Sequence, residues 1–293
     1  MARQIYEAVA DGILGGGVYA LMAVGLTLIF GVLDIINIAQ GILVVLGAYL
    51  SYVLSVHLHI DLFVGLLITV PVMFVIGVAI QWLFIRPLRG RDRASMSLLA
   101  AYAVALIIEG VLYRIFGPGF VVLRASYVYA SVHLFGFYLS DIYLYGFVLA
   151  VACVAALYLL LYRTKFGRSV RATMQDQMAA QLIGIDVNRV AAVTFGIGVA
   201  VTAVGGMMFG ATSGGFNPNS GYDLISRLLA IIILGGLGSI AGALVAAVFM
   251  ITLESVVTIW SPNWATAVFY LSLVIVLTFR PTGLFGRRAG RAQ

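Results

Sequence analysis

The stretch GGGVYALMAVGLTLIFGVLDIINIAQGILVVLGAY, residues 15–49, decides the fold. An apolar run ends near residue 33, a polar interruption DIINIAQG occupies residues 34–41, and a second apolar run follows. A helix rises about 1.5 Å per residue, so about 20 residues cross about 30 Å of hydrocarbon. The first run is long and apolar enough for that crossing. It reads as a membrane span, and the interruption reads as its break.

The same texture extends along the chain. Apolar runs fall near residues 13–33, 42–60, 62–85, 96–116, 142–162, 190–212 and 264–280. Between the last two lies 222–258, interrupted by GGLGS at residues 235–239. Its first arm, 222–235, covers only about 20 Å and is either a short tilted span or half of a re-entrant hairpin. The fold class is all-α: one polytopic transmembrane helix bundle over residues 1–293, of about eight or nine membrane segments, some broken or re-entrant.

Composition agrees. Of the 293 residues, 63% are hydrophobic and 10% charged, against about half and a quarter in soluble domains. The net charge of +6 suggests no nucleic-acid surface, because the arginines gather in short segments between apolar runs. Segment 86–95 (RPLRGRDRAS), segment 163–189 and the tail from Arg280 belong in the cytoplasm. The remaining loops hold little positive charge apart from Arg3, Arg124 and Arg227. This orientation places the amino terminus outside, and the opening MARQIYEAVADG reads as the start of an uncleaved first helix. Residues 117–141 form the sizeable external loop, either an amphipathic cap over the outer mouth or a connector on the membrane interface.

Several chemistries are excluded by motif. A phosphate-binding loop needs GxxxxGK[ST], yet the single lysine, Lys165, follows Thr164. There is no HExxH and no GxSxG, so the chain reads as a non-enzyme with no ATPase site of its own. Cys153 is a lone small hydrophobe inside an apolar run. His57, His59 and Asp61 read as a polar turn at the membrane surface, and no metal ion is expected.

Two breaks carry the candidate path: Asn37, Gln40 and Gly41 in the first, and Gly235, Gly236, Gly238 and Ser239 in the second. Broken helices at membrane depth expose backbone groups that hold polar solutes in transporters. A plain extramembrane turn, or close helix packing through glycine, would explain the same residues. Glu109 lies inside a span, where facing lipid is costly. Tyr113 and Arg114 are its expected partners, and a proton relay is the alternative. Glu254 sits near the outer end of its run. Segment 163–189 contains a helix-compatible stretch from Ser169 to Leu182, ended by Gly184, suited to docking on a partner protein or on membrane lipid.

Residues 15–49 strongly resemble the opening of branched-chain amino acid ABC transporter permeases of the LivH type. RPLRGRDRAS, ILGGLGSIAGA (233–243) and RPTGLFG (280–286) resemble the same family, in order, over nearly the whole chain. MAAQLIG (178–184) is similar to the family's EAAxxxG coupling motif, with Met178 in place of the glutamate. The resemblance implies an importer permease subunit in the bacterial cytoplasmic membrane, with branched-chain or other small amino acids as solute. It also implies a second related permease, two cytoplasmic ATPase subunits that hold the ATP, and an external solute-binding protein. Arg171, Asp176, Ala179, Ala180 and Gly184 would then couple to an ATPase subunit. A relative carrying urea or amides, or an ion-coupled carrier using Glu109, is the alternative.

Overall fold

A computed structural model describes residues 2–88, 93–123, 125, 131–134 and 137–286. Arg89, Arg91, Arg124 and the tail beyond residue 286, all part of the charge reading, lie outside the described residues, as do residues 126–130 and 135–136 of the external loop.

The helices are α1 (Ala2–Leu33), α2 (Gln40–His57), α3 (Leu62–Ile80), α4 (Arg93–Phe116), α5 (Asp141–Arg163), α6 (Lys165–Gln175), α7 (Gln177–Leu182), α8 (Val187–Thr212), α9 (Ser220–Gly235), α10 (Ile240–Trp260) and α11 (Pro262–Phe279). A π-helical turn, Gln81–Ile85, extends α3. Eight of them, α1 to α5, α8, α10 and α11, are long and apolar enough to cross a membrane. The 16-residue α9 is not. A two-stranded hairpin, β1 (Ser131–Leu134) with β2 (Phe137–Ser140), joins the external loop to α5.

Close glycine contacts fix the directions. A Cβ on Gly12 would meet the Cα of Thr252 at 2.5 Å, and one on Gly16 the Cα of Val248 at 2.6 Å, so α1 and α10 run antiparallel. A Cβ on Gly25 would lie 2.5 Å from the Gly198 carbonyl oxygen and one on Gly205 2.5 Å from Met22 Cγ, so α8 runs antiparallel to α1. With the basic segments inside, α1 descends and α8 rises. Hemmed in by α5, α8 and α10, α1 is buried almost throughout from Leu14 to Leu33. This is why its sequence has no polar stripe.

The order span, break, inner-starting helix, span, span occurs twice. α1 descends, residues 34–39 climb back, and α2 starts inside and rises, followed by α3 and α4. In reverse sense α8 rises, residues 213–219 turn back, and α9 starts within the bundle and descends, followed by α10 and α11. The packing matches: α1 lies along α10 as α8 lies along α3. The two halves are thus an inverted repeat, with α5 to α7 inserted between them. Segment 222–258 is a helical hairpin of α9 and α10, with all three basic segments on one side.

Asp34 turns the chain at φ 54°, and Gly236 and Gly238 do so at φ 98° and 80°. A residue with a Cβ is strained in this region, most of all a branched one. Ser239 then caps α10, accepting from the Gly242 N–H at 3.0 Å.

Candidate functional site

The first break is at mid-depth. A Cβ on Gly25, eight residues and about 12 Å above the end of α1, would lie 3.3 Å from Gln40 Nε2. Gln40 Nε2 donates to the Thr202 hydroxyl, and Thr202 donates to the Gly198 carbonyl at 2.8 Å. Asn37 Nδ2 donates to Gln40 Oε1 at 3.1 Å. Asn37 and Gln40 are both buried. Gly41 is pressed against α9, where a Cβ would fall 2.1 Å from the Gly221 carbonyl oxygen. The first turns of α2 and α9 therefore meet inside the bundle, backbone to backbone.

The second break lies elsewhere, beside the end of α1, where a Cβ on Gly238 would lie 3.8 Å from the Cα of Gly31. A Cβ on Gly235 would meet Gly242 at 2.5 Å, and one on Gly236 the Gly286 N–H nitrogen at 2.3 Å. Leu284 and Phe285 donate to the carbonyls of Leu234 and Gly235, so the RPTGLFG segment laces this turn shut. The structure thus brings Asn37, Gln40 and Gly41 together, but not with Gly235, Gly236, Gly238 and Ser239.

The open polar space is a cleft of about 670 Å³ among α1, α9, α10 and α11, lined by residues that include Tyr19, Asp223, Arg227, Glu254, Thr258 and Tyr270. Arg227 is a residue of α9 inside the bundle, not of a loop as its sequence position suggested. Its guanidinium donates to both oxygens of Glu254, at 2.6 and 2.8 Å. The guanidinium also lies over the Phe269 ring, 5.3 Å from the centroid. The side chains of the pair retain 22% and 15% exposure, so they face the cleft without being sealed in the core. A lone arginine or glutamate in a span is costly, which explains the pairing. Sequence reasoning noted both residues and missed the pair. The available signal was two opposite charges, Arg227 and Glu254, each inside a largely apolar run, on the two arms of one hairpin.

Glu109 accepts a hydrogen bond from the Tyr222 hydroxyl at 2.6 Å. Its partner is thus on α9, rather than Tyr113 or Arg114 one turn away. A small cavity of about 20 Å³ adjoins them, room for about one water.

In segment 163–189 the expected helix Ser169–Leu182 is broken into α6 and α7. Asp176 is extended (φ −157°, ψ 113°) and its carboxylate accepts from the N–H groups of Met178 and Ala179, at 2.8 and 3.0 Å. Cap formation outweighs helix continuation there. Arg171 bends back to the Leu161 carbonyl and stacks over Tyr162 at 4.8 Å. Gln177 reaches the Val32 carbonyl at 2.9 Å, tying α7 to the end of α1. Ala180 is buried, while Met178, Leu182 and Ile183 are exposed by 74%, 85% and 75%. Gly184, at φ 86°, ends α7 with open space around it. Among the described residues no cluster of three metal-ligating side chains occurs. Asp61 instead caps α3, accepting from the Phe63 N–H at 2.9 Å.

Residues 8–277 match the family described as the branched-chain amino acid transport system permease component. The chain is 28% identical to the high-affinity branched-chain amino acid transport system permease protein BraD of Pseudomonas aeruginosa, over 96% of this chain and 95% of that protein. It is 27% identical to the corresponding protein LivH of Escherichia coli K12, over 94% of each. The probable branched-chain amino acid transport permease protein LivH of Methanocaldococcus jannaschii is 28% identical, over 94% of this chain and 90% of that one. No solved structure matches the chain.

Proposed function

The chain belongs to the family of branched-chain amino acid transport permease components, and from that premise we propose that it forms one side of the membrane path of an ATP-driven importer for branched-chain or other small amino acids. The observation that carries this reading is the polar cleft beside α9, within a bundle that holds eight helices long and apolar enough to cross a membrane. A second related permease would close that face. An external solute-binding protein would deliver the amino acid to the outer half of the cleft. In the cytoplasmic membrane the basic segments hold α6 and α7 inside.

Two cytoplasmic ATPase subunits would bind and hydrolyse the ATP, and α7 supplies a surface for one of them. Its exposed Met178, Leu182 and Ile183 form an apolar ridge, which would be unfavourable to leave in water and suits a groove of a partner. Ala179 and Gly184 flank the ridge, while Asp176, Arg171 and Ala180 hold it in place. Gln177, through Val32, and Met174, against Gly31, give the docked helix a direct hold on the end of α1.

The test is reconstitution of the chain with its partner subunits in proteoliposomes. ATP-dependent leucine uptake from the loaded binding protein is the expected result. Uptake that persists without ATP and follows a proton gradient would overturn the ATPase-coupled reading.

A further inference from the structure

The Arg227–Glu254 pair is more than an internal clamp, because three features of its setting differ from those of a structural ion pair. It lies in the wall of an open cleft of about 670 Å³, within the range of small-molecule sites. A second carboxylate, Asp223, is exposed one turn above Arg227 on the same helix and lines the same cleft. Apolar wall is also present, from Phe209, Leu224 and Ile251.

We propose that this cleft is a transient binding site for the zwitterionic head of an amino acid, with Arg227 receiving the α-carboxylate and Glu254, helped by Asp223, receiving the α-ammonium. This inference rests on the amino-acid import reading above and deepens it. With no solute present, the two side chains satisfy each other, as the bidentate contacts at 2.6 and 2.8 Å record. A zwitterion entering between them exchanges one ion pair for two of matching sign. No charge is left unpaired at membrane depth during the exchange. The planar guanidinium matches a carboxylate through two parallel N–H donors. The aliphatic side chain of the solute would lie against Leu224 and Ile251. Such a site is weak by construction, since the solute must displace an existing pair, and weak binding is what a path needs if solute is to leave it.

The test uses the complete reconstituted transporter with saturating, unmodified binding protein, so that any change arises in the membrane. Wild-type complex that hydrolyses ATP but moves no leucine refutes the import reading itself, before any variant is compared. Given wild-type uptake, the double exchange Arg227→Glu with Glu254→Arg keeps an ion pair but reverses its polarity. We expect assembled complex in normal yield with leucine uptake reduced at least tenfold. Uptake restored to within twofold of wild type by the exchange identifies a clamp and overturns the proposal. If the exchange prevents assembly, Arg227→Lys decides: it keeps the charge and the pair but loses the bidentate fork. At least a threefold loss of uptake per assembled complex supports carboxylate recognition, and unchanged uptake overturns it.

Discussion

The helices α2 and α9 both begin inside the bundle, at Gln40 and Ser220, and their first turns touch at Gly41 and Gly221. They stand at corresponding places in the two halves of the inverted repeat, yet their surroundings are opposite. On α2 the polar groups are turned into protein: Gln40 is held by Thr202 and Asn37, and Ser51 is buried. On α9, Tyr222, Asp223, Ser226 and Arg227 follow within two turns and face the open side or the cleft. Polar side chains at membrane depth must be enclosed by protein or bathed by water. The first half uses the former solution and the second the latter. Identical helix order therefore does not give identical roles. The first half is a tightly packed scaffold, and on the import reading proposed above the second supplies the wall past which solute moves.

The largest expected effect comes from breaking the scaffold. A Cβ on Gly206 would fall 2.2 Å from the Val44 carbonyl oxygen and 3.1 Å from the Ala48 nitrogen. Gly206→Leu must push α2 off α8, a backbone displacement at or above the roughly 1–3 kcal/mol of an overpacked core. The expected result is loss of assembled complex, read as monodisperse yield on size exclusion. Normal yield would mean that α2 is not clamped to α8, and the contrast between the halves would fail.

A smaller effect is expected at the polar centre of the sealed break. Gln40→Leu leaves the Asn37 amide without its acceptor and takes the donor from Thr202, at a cost of about 1–3 kcal/mol. The thermal midpoint of the purified complex should fall, and pairing the change with Thr202→Val should cost less than the sum of the two single changes. The surviving complex should still transport, because these groups face protein. Normal stability with abolished uptake would instead place solute at Gln40 and make the two breaks alike.

Much of this was legible in the residues. The apolar run, polar break and second apolar run at 15–49 announced α1, a break and α2. GGLGS marked the turn between α9 and α10. Depth was not legible. Nothing in DIINIAQG distinguishes a loop at the surface from one that climbs back about 12 Å beside α1, because that choice is made by Gly25, Gly198 and Thr202, far away in sequence. The Arg227–Glu254 pair was hidden for the same reason, since 27 residues separate partners that a hairpin brings together. The break at Asp176 had a local signal, an N-cap residue ahead of QMAA, outweighed in reading by the helix-forming residues on both sides.

The smallest effect should come from Glu109, which joins α4 of the first half to α9 of the second through the Tyr222 hydroxyl at 2.6 Å. If the second half lines the path and ATP drives it, this carboxylate is an acceptor that steadies the first turns of α9 and carries no proton across. In the variant Glu109→Gln the side-chain amide still offers a carbonyl oxygen to Tyr222, so the hydrogen bond survives in neutral form at a loss of about 1 kcal/mol or less. The outer half of the cleft keeps its shape, because Asp223 and Arg227 lie on the same helix but on other contacts. Uptake by reconstituted Glu109→Gln complex is expected to stay within twofold of wild type, and a protonophore should leave both equally active while ATP is supplied. A secondary carrier built on Glu109 requires the opposite: an amide cannot release or accept the coupling proton, so uptake would collapse in the variant and in the wild type on addition of protonophore. That outcome would move the working side chain from the second half to the first and reverse the assignment of scaffold and path.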